Sequence, residues 1–286
     1  MAGVAAGRRS TGISARTIVA LVLASVAAFA MFAWPLLLTP SADFSHTEDA
    51  PFIFALSLPV LVLIVLAEMS SDGMDTKALA MLGVLSAIGA ALRPLGAGTG
   101  GIELVFFLLV LGGRVYGPAF GFVLGSTTIF TSALLTGGMG PWLPFQMLAS
   151  SWVGMGAGLL PRRVRGRGEI AMLAVYAFLA AYFYGFAVNL WGWPFGVLGP
   201  DTALSYAPGA AVAENLHRFL LYCLATSTWG WDTGRAITNT VAVVLVGTPV
   251  LATLRRALRK AAFDAPVEFA PHPDVDVDPL HVVVQR

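Results

Sequence analysis

The sequence is poor in charge and in cysteine. Only 12% of its 286 residues are Asp, Glu, Lys or Arg, against about 25% in ordinary soluble domains. Its one cysteine, Cys223, excludes an internal disulfide and any metal site built from several cysteines. Because 57% of the residues are hydrophobic and fall in repeated runs of membrane-spanning length, we predict an all-α, polytopic membrane helix bundle.

Signatures of familiar enzymes and pumps are also missing. The sequence has no GxxxxGK[ST] loop, so ATP is not bound by that route, and it has neither HExxH nor a cysteine–histidine metal spacing. It has no regular string of intramembrane acids, as in a proton relay, and no clear inverted repeat of broken helices. These absences favour binding over catalysis, without a cofactor or metal on this chain and with energy supplied by a partner.

The apolar runs predict about eight spans with both termini in the cytoplasm. This arrangement leaves 14 of the 17 Lys and Arg residues inside, as the positive-inside rule favours. Phe219–Trp231 has only about half of the ~20 residues of a span, so we interpret it as re-entrant or interfacial. A cleaved signal peptide is the alternative for the first helix, whose apolar run is long for one. The predicted helices are 15–38, 52–69, 78–92, 102–111, 115–136, 142–160, 170–190 and 236–254.

Polar and aromatic residues gather near the predicted outer ends of these helices. Ionisable and amide groups at the edge of the hydrocarbon are costly unless they are paired or face a polar cavity. We therefore predict a substrate-binding pocket. Alternatively, the tryptophans form an ordinary aromatic belt, and Asp232 and Arg235 pair only with each other. The predicted pocket residues are Arg93, Glu103, Trp142, Gln146, Asn189, Trp193, Trp231, Asp232, Arg235 and Asn239.

The stretch from Gly112 to Pro161 organises the chain. We interpret 112–117 as a tight turn that carries Arg114, followed by a helix with Gly117, Gly121 and Gly125 on one face. A Gly/Pro break at 137–141 leads to a helix that ends in further glycines. Glycines spaced by four let two helix backbones approach closely in lipid, so we predict a tight helical hairpin.

Together these features resemble the substrate-binding S component of energy-coupling factor (ECF) vitamin transporters. The resemblance covers 78–260, about two-thirds of the chain. It rests on a helix with small residues four apart, the segment GGRVYGP at 112–118, the outer GxGP at 138–141 and the glycine-rich helix end at 154–160. A basic linker, two further spans and a basic C-terminus complete it.

The resemblance implies a six-helix substrate-binding core at 77–260, preceded by an extra N-terminal helical hairpin at 15–76. A leader at 1–14 and a disordered tail at 261–286 would be cytoplasmic. The core would capture a vitamin or vitamin-like micronutrient, cobalamin among the candidates, outside a bacterial plasma membrane. It would dock through Gly83, Ala87 and Ala91 onto a membrane coupling subunit with two ATP-binding cassette ATPases, which alone would use ATP.

Three alternatives stay open from the sequence. An integral-membrane enzyme acting on a lipid would use Glu103, His217 or Asp232 as acid or base. A self-contained secondary transporter would need no partner. The small residues of the third helix could also serve ordinary packing inside the bundle, in which case Ala20, Ala24 and Ala28 of the first helix offer a competing docking face.

Overall fold

The computed structural model describes residues 15–37, 46–69, 76–96, 100–195 and 203–260, and all regular structure in these ranges is helical. The predicted all-α class is therefore confirmed. The predicted leader (1–14) and tail (261–286) lie outside the described residues. The helices are α1 (Ala15–Leu37), α2 (His46–Met69), α3 (Thr76–Leu95), α4 (Val105–Tyr116), α5 (Pro118–Thr136), α6 (Leu143–Leu159), α7 (Arg167–Gly192), a 3-10 turn (Trp193–Phe195), α8 (Val212–Cys223), a π-helical segment (Leu224–Asp232) and α9 (Thr233–Lys260).

Four helical segments of the described chain are both long and apolar enough to cross a bilayer. Shorter apolar stretches occur in α1, α2 and α4. The chain is accordingly a multi-pass membrane protein, while the count of eight spans and the cytoplasmic position of both termini stay predictions. The four segments are Ala78–Leu95, Pro118–Thr136, Arg167–Gly192 and Val212–Arg259.

The segment Phe219–Trp231 is not a short separate segment, so the re-entrant alternative from the sequence is wrong, whereas the interfacial alternative stays a prediction. It belongs to one continuous helix from α8 through the π-helical segment into α9. The interpretation rested on the short apolar length, yet polar residues extend the helix: the Thr226 hydroxyl donates to the Tyr222 carbonyl at 2.7 Å and the Thr233 hydroxyl to the Thr228 carbonyl at 2.5 Å. Hydroxyls that bond back to their own helix are tolerated in apolar surroundings, so the apolar length alone misled the prediction.

Helix α4 lies at the centre of the bundle, and residues Val105 to Arg114 are all buried. The predicted turn at 112–117 is wrong in its extent, because α4 continues through Gly112, Gly113 and Arg114 to Tyr116. The break is confined to Gly117, whose φ of 102° suits glycine. Pro118 then occupies the first turn of α5, where its missing N–H costs nothing.

Glycines bring α4, α5 and α6 into backbone contact, as the sequence predicted for α5 and α6. A Cβ on Gly113 or on Gly121 would overlap the carbonyl of Gly154, and a Cβ on Gly125 would overlap the backbone of Ser150. Between α5 and α6 the Ser126 and Ser151 hydroxyls also share a hydrogen bond of 2.6 Å. Close backbones held by small residues are a typical helix interface in membranes.

Helix α1 packs along α6 and α7 through its buried side. Phe32 lies edge-on to Phe145, with 5.2 Å between the ring centroids, and it also contacts Trp152. The Trp152 Nε1–H donates to the Ser25 hydroxyl at 3.0 Å. The predicted N-terminal helices are thus part of the same packed core as the six helices that follow.

Candidate functional site

Arg235 is a nearly buried cation held between two carboxylates. It lies in the first turn of α9, and its side chain is 10% exposed. Its Nε donates to Glu103 Oε2 at 2.8 Å, and its Nη1 donates to Asp232 Oδ1 at 3.0 Å. A buried charge needs this kind of pairing and hydrogen bonding, because its desolvation is expensive.

The pairing extends to α3 and α6 through Arg93. Glu103 Oε1 lies 3.5 Å from Arg93 Nε, and Arg93 Nη2 donates to Gln146 Oε1 at 2.7 Å. The Arg93 side chain is 23% exposed, more than twice the fraction of Arg235. Two arginines and two carboxylates compensate one another, so the cluster has no net charge.

Aromatic rings flank the guanidinium of Arg235. Its Cζ lies 5.4 Å from the Phe106 ring centroid and 4.8 Å from that of Tyr184. Phe106 and Tyr184 meet edge-on, with their centroids 4.8 Å apart. Cation–π attraction adds to the ion pairs and fixes the plane of the guanidinium.

The π-helical segment connects this cluster to α7. Ser227 and Asp232 are five residues apart, and the wider π turn lets the Ser227 hydroxyl donate to Asp232 Oδ2 at 2.7 Å. Asn189 Nδ2 of α7 donates to the same hydroxyl at 2.6 Å. Gly185 makes this approach possible, since a Cβ there would overlap the Asp232 carboxylate.

Asn239 ties α9 to the beginning of α4. Its Oδ1 accepts the Phe107 N–H at 2.6 Å, one of the donors that the first turn of a helix leaves without a partner. Its Nδ2 donates to the Glu103 carbonyl at 2.6 Å and to the Arg235 carbonyl at 2.8 Å. Asn239 is fully buried, so both ends of its amide are used.

Seven of the ten predicted pocket residues therefore form one connected set, which we call the polar network. It lies at one end of the bundle and draws on α3, α6, α7, the π-helical segment, α9 and the chain before α4. Asp232 does not pair with Arg235 alone, because Ser227 and Glu103 join the same cluster. The members are Arg93, Glu103, Gln146, Asn189, Asp232, Arg235 and Asn239.

The three predicted tryptophans are not members of this hydrogen-bonded set. Trp142 precedes α6 and Trp231 is the last residue but one of the π-helical segment, and both are exposed. Trp193 is buried elsewhere, where its Nε1–H donates to the Leu204 carbonyl at 2.6 Å and its ring packs on Tyr206 and Phe219. Burial raises the pKa of the Tyr206 hydroxyl. The structure thus gives Trp193 a packing role.

Four further residues of this site were missed from the sequence: Phe106, Tyr184, Gly185 and Ser227. In the sequence, Phe106 and Tyr184 look like any other apolar residues of a membrane helix. Only their contact with Arg235 in the folded bundle shows that they belong to the site. Ser227 could have been found from its spacing of five to Asp232 if a π turn had been considered. His217, a candidate acid or base, is exposed on α8 outside the network.

No metal site accompanies the network. Within the part of the chain that the structure describes, no group of three or more His, Cys, Asp or Glu residues could hold a metal ion. The network offers hydrogen-bond donors and acceptors and a cation flanked by rings, which suits binding of a small polar molecule.

A second ion cluster lies at the opposite end, which we call the basic end and define by Arg162–Arg167 and Arg255–Lys260. Arg114 Nε donates to Glu169 Oε1 at 2.6 Å, and Arg255 Nη2 reaches the same oxygen at 2.7 Å. Arg114 also donates to the carbonyls of Leu160 (2.9 Å), Pro161 (3.2 Å) and Val164 (3.0 Å). This arginine therefore fixes the linker between α6 and α7.

The small residues of α3 face away from the bundle. Gly83, Ala87 and Ala91 are exposed, and a Cβ on Gly83 would meet nothing within 4 Å. The opposite side, with Leu82, Leu85 and Ala90, is buried. On α1, by contrast, Ala24 and Ala28 are buried in the core. Packing inside the bundle therefore does not explain the α3 stripe, whereas it does explain the α1 face.

The model of the family of substrate-specific components of ECF transporters matches residues 77–229. This range covers 153 residues, more than half of the chain, and runs from the second residue of α3 through α8 to the sixth of the nine residues of the π-helical segment. The chain belongs to this family.

ECF substrate-specific components are membrane transport subunits, and membership implies association with a coupling subunit and ATPases. The match begins one residue before Ala78 and includes Arg93, Glu103, Gln146 and Asn189, whereas Asp232, Arg235 and Asn239 follow its end. Helices α1 and α2 precede it. No curated protein and no solved structure matched the chain significantly.

Proposed function

We propose that the chain is the substrate-binding subunit of an ECF-type ABC importer that captures a vitamin or vitamin-like micronutrient, cobalamin among the candidates, from outside a bacterial cell. The polar network is the proposed binding site. The observation that carries this proposal is that seven residues from separate parts of the sequence converge around Arg235 at one end of the bundle. Buried ionisable residues in a membrane bundle mark functional sites by default.

Within the network the residues divide by exposure. Arg235, Asp232 and Asn239 are buried and hold the frame. Arg93 and Gln146 are partly exposed and would exchange their mutual hydrogen bond for bonds to the ligand.

The two exposed tryptophans lie next to residues of the polar network. Trp142 lies one helical turn before Gln146, with the Gln146 N–H donating to the Trp142 carbonyl at 3.0 Å. The Trp231 carbonyl abuts Gly101, two residues before Glu103. Their rings would cover the flat part of a ligand.

Delivery would use the exposed stripe of Gly83, Ala87 and Ala91 as the face that meets the coupling subunit. Small residues four apart let a partner helix approach closely in lipid. Two ATP-binding cassette ATPases bound to that subunit would supply the energy, so this chain itself would need no ATP and no other cofactor.

The proposal is tested by measuring both functions on one set of variants. Purified protein is titrated with a panel of vitamins, and the tagged protein is pulled down from its host in mild detergent. We expect Gln146→Ala to weaken ligand binding at least tenfold, as loss of about 1.4 kcal/mol would, and to leave the partners bound. We expect Ala87→Leu to leave ligand binding unchanged and to abolish co-purification of the partners.

Ala252→Leu is the matched control, since Ala252 is an exposed alanine of α9 outside the stripe. It should leave both readouts unchanged. Absence of binding to every vitamin of the panel, or co-purification of the same partners with Ala87→Leu as with the wild type, would contradict the proposal.

A further inference from the structure

An apolar cleft lies where α1 packs on α6 and α7. Its volume is about 590 Å³, within the range of about 300–1,000 Å³ that is usual for small-molecule sites. Ile18, Val22 and Val26 of α1 form one wall, and Trp152 and Met155 of α6 with Phe183 of α7 form the other.

The lining of this cleft has almost no polar character. Ser25 is the one hydroxyl among the lining residues, and it accepts the Trp152 Nε1–H at 3.0 Å. An occupant that needed hydrogen bonds from these walls would lose them on entry. The part of any ligand that enters the cleft is therefore apolar.

A cation stands at the basic end of the cleft. Pro118 and Leu159 line the cleft there, and Arg162 follows Leu159 by three residues. The Arg162 Nη2 lies 3.5 Å from where a Cβ on Gly117 would be, directly beside Pro118. Arg162 is exposed, and in the described ranges no carboxylate forms an ion pair with it.

We propose that this cleft binds an acyl chain of an anionic phospholipid, with the headgroup phosphate on Arg162. The α1 wall is open to the bilayer, because Val22 and Val26 are exposed, so a lipid can enter sideways. An apolar cleft between spans with a cation at its end fits an amphiphile with one negative group. Basic pockets between transmembrane helices are known to bind such headgroups.

The site is built jointly by α1 and the helices that match the family model. Its α1 wall precedes residue 77, where that match begins, while Trp152, Met155 and Phe183 lie within it. One function of α1 is thus to convert an open face of the core into a lipid site.

Trp152 provides the probe for a test. Protein in detergent is titrated with phosphatidylglycerol or phosphatidylcholine brominated on the acyl chains, which quench nearby indoles. The signal of Trp152 is the difference between the wild type and Trp152→Phe. We expect quenching at lower concentrations of phosphatidylglycerol than of phosphatidylcholine. Arg162→Gln should weaken the phosphatidylglycerol effect roughly fivefold, the contribution of one cation near an anionic lipid.

Two matched controls make the outcome decisive. Arg165→Gln removes another exposed arginine of the same linker and should keep the preference for phosphatidylglycerol. Val22→Phe fills the cleft and should abolish quenching of Trp152, whereas Val19→Phe alters an exposed α1 position that does not line it. The proposal is overturned if the two lipids quench Trp152 equally. It is also overturned if Arg162→Gln and Arg165→Gln, or Val22→Phe and Val19→Phe, change the quenching equally, because contact with bulk lipid would then explain the signal.

Discussion

Glu103→Gln should destabilise the protein because one carboxylate serves two arginines. Glu103 lies 2.8 Å from Arg235 Nε and 3.5 Å from Arg93 Nε. Glutamine keeps the size and one acceptor oxygen but removes the charge. Arg235 is then left with Asp232 as its only carboxylate among the described residues, and Arg93 is left with Gln146.

The expected cost follows from the burial of this pair. Breaking a buried ion pair by removing one partner costs about 3–5 kcal/mol. Asp232 stays in place and the Glu103 side chain is 16% exposed, so we expect about 2–3 kcal/mol. At about 2–4 °C per kcal/mol for a domain of this size, the midpoint of thermal unfolding falls by about 4–12 °C.

A double-mutant cycle isolates the contact from other effects. Arg235→Gln alone should cost more than Glu103→Gln, because it leaves Glu103 and Asp232 close together without the cation between them. The double variant should be more stable than the sum of the two single losses predicts, with a coupling of about 1–2 kcal/mol.

Cys223 provides the assay, since it is the only cysteine and is 7% exposed. A maleimide fluorophore that labels this thiol on heating reports unfolding. Glu214→Gln is the control, because its ion pair with Arg218 is exposed and is worth at most about 1 kcal/mol. The reasoning is refuted if Glu103→Gln costs no more than this control, or if the cycle is additive.

Two further predictions use the same assay. Gly185→Ala should cost about 1–3 kcal/mol, because its Cβ would overlap the Asp232 carboxylate, whereas Gly192→Ala, which has open space, should cost almost nothing; equal midpoints for the two variants would contradict this packing. Arg114→Gln should cost about 3–5 kcal/mol, because the buried Glu169 then keeps Arg255 as its only ion-pair partner among the described residues. Ligand affinity should stay the same, and a change in affinity would show that the two ends of the bundle are coupled.

The sequence predicted α1 to α7 and α9 because each contains an apolar run, but it did not predict α8 as a helix. It also predicted the contact of α5 with α6, because glycines four apart leave backbone exposed on one face. It misplaced the boundary at Gly117, since Gly112 and Gly113 are poor helix formers, and only their tight packing, Gly112 against Leu124 and Gly113 against Gly154, explains them within α4. It missed the continuity of α8 with α9 because the apolar stretch at 219–231 has only about half the length of a span, and apolar length was the only criterion applied to it.

For the polar network, the positions of the charged residues in the sequence predicted that a cluster exists but not which residues pair. A charge such as Arg235 next to an apolar helix must find partners, so the existence of a cluster could be predicted. The partners depend on how helices pair, which no local pattern records. Trp193 illustrates the limit: its ring suits a binding site or a packed core equally, and only Leu204, Tyr206 and Phe219 decide between them.

Helix α9 is anchored at both ends, and this has a mechanical consequence. Arg235 and Arg255 are 20 residues apart, about 30 Å along a helix at about 1.5 Å per residue. Arg235 is anchored to Glu103 and Arg255 to Glu169. If α9 tilted about one of these ion pairs, its other end would move by several ångströms. A tilt of α9 would therefore break the ion pair at the end that moves.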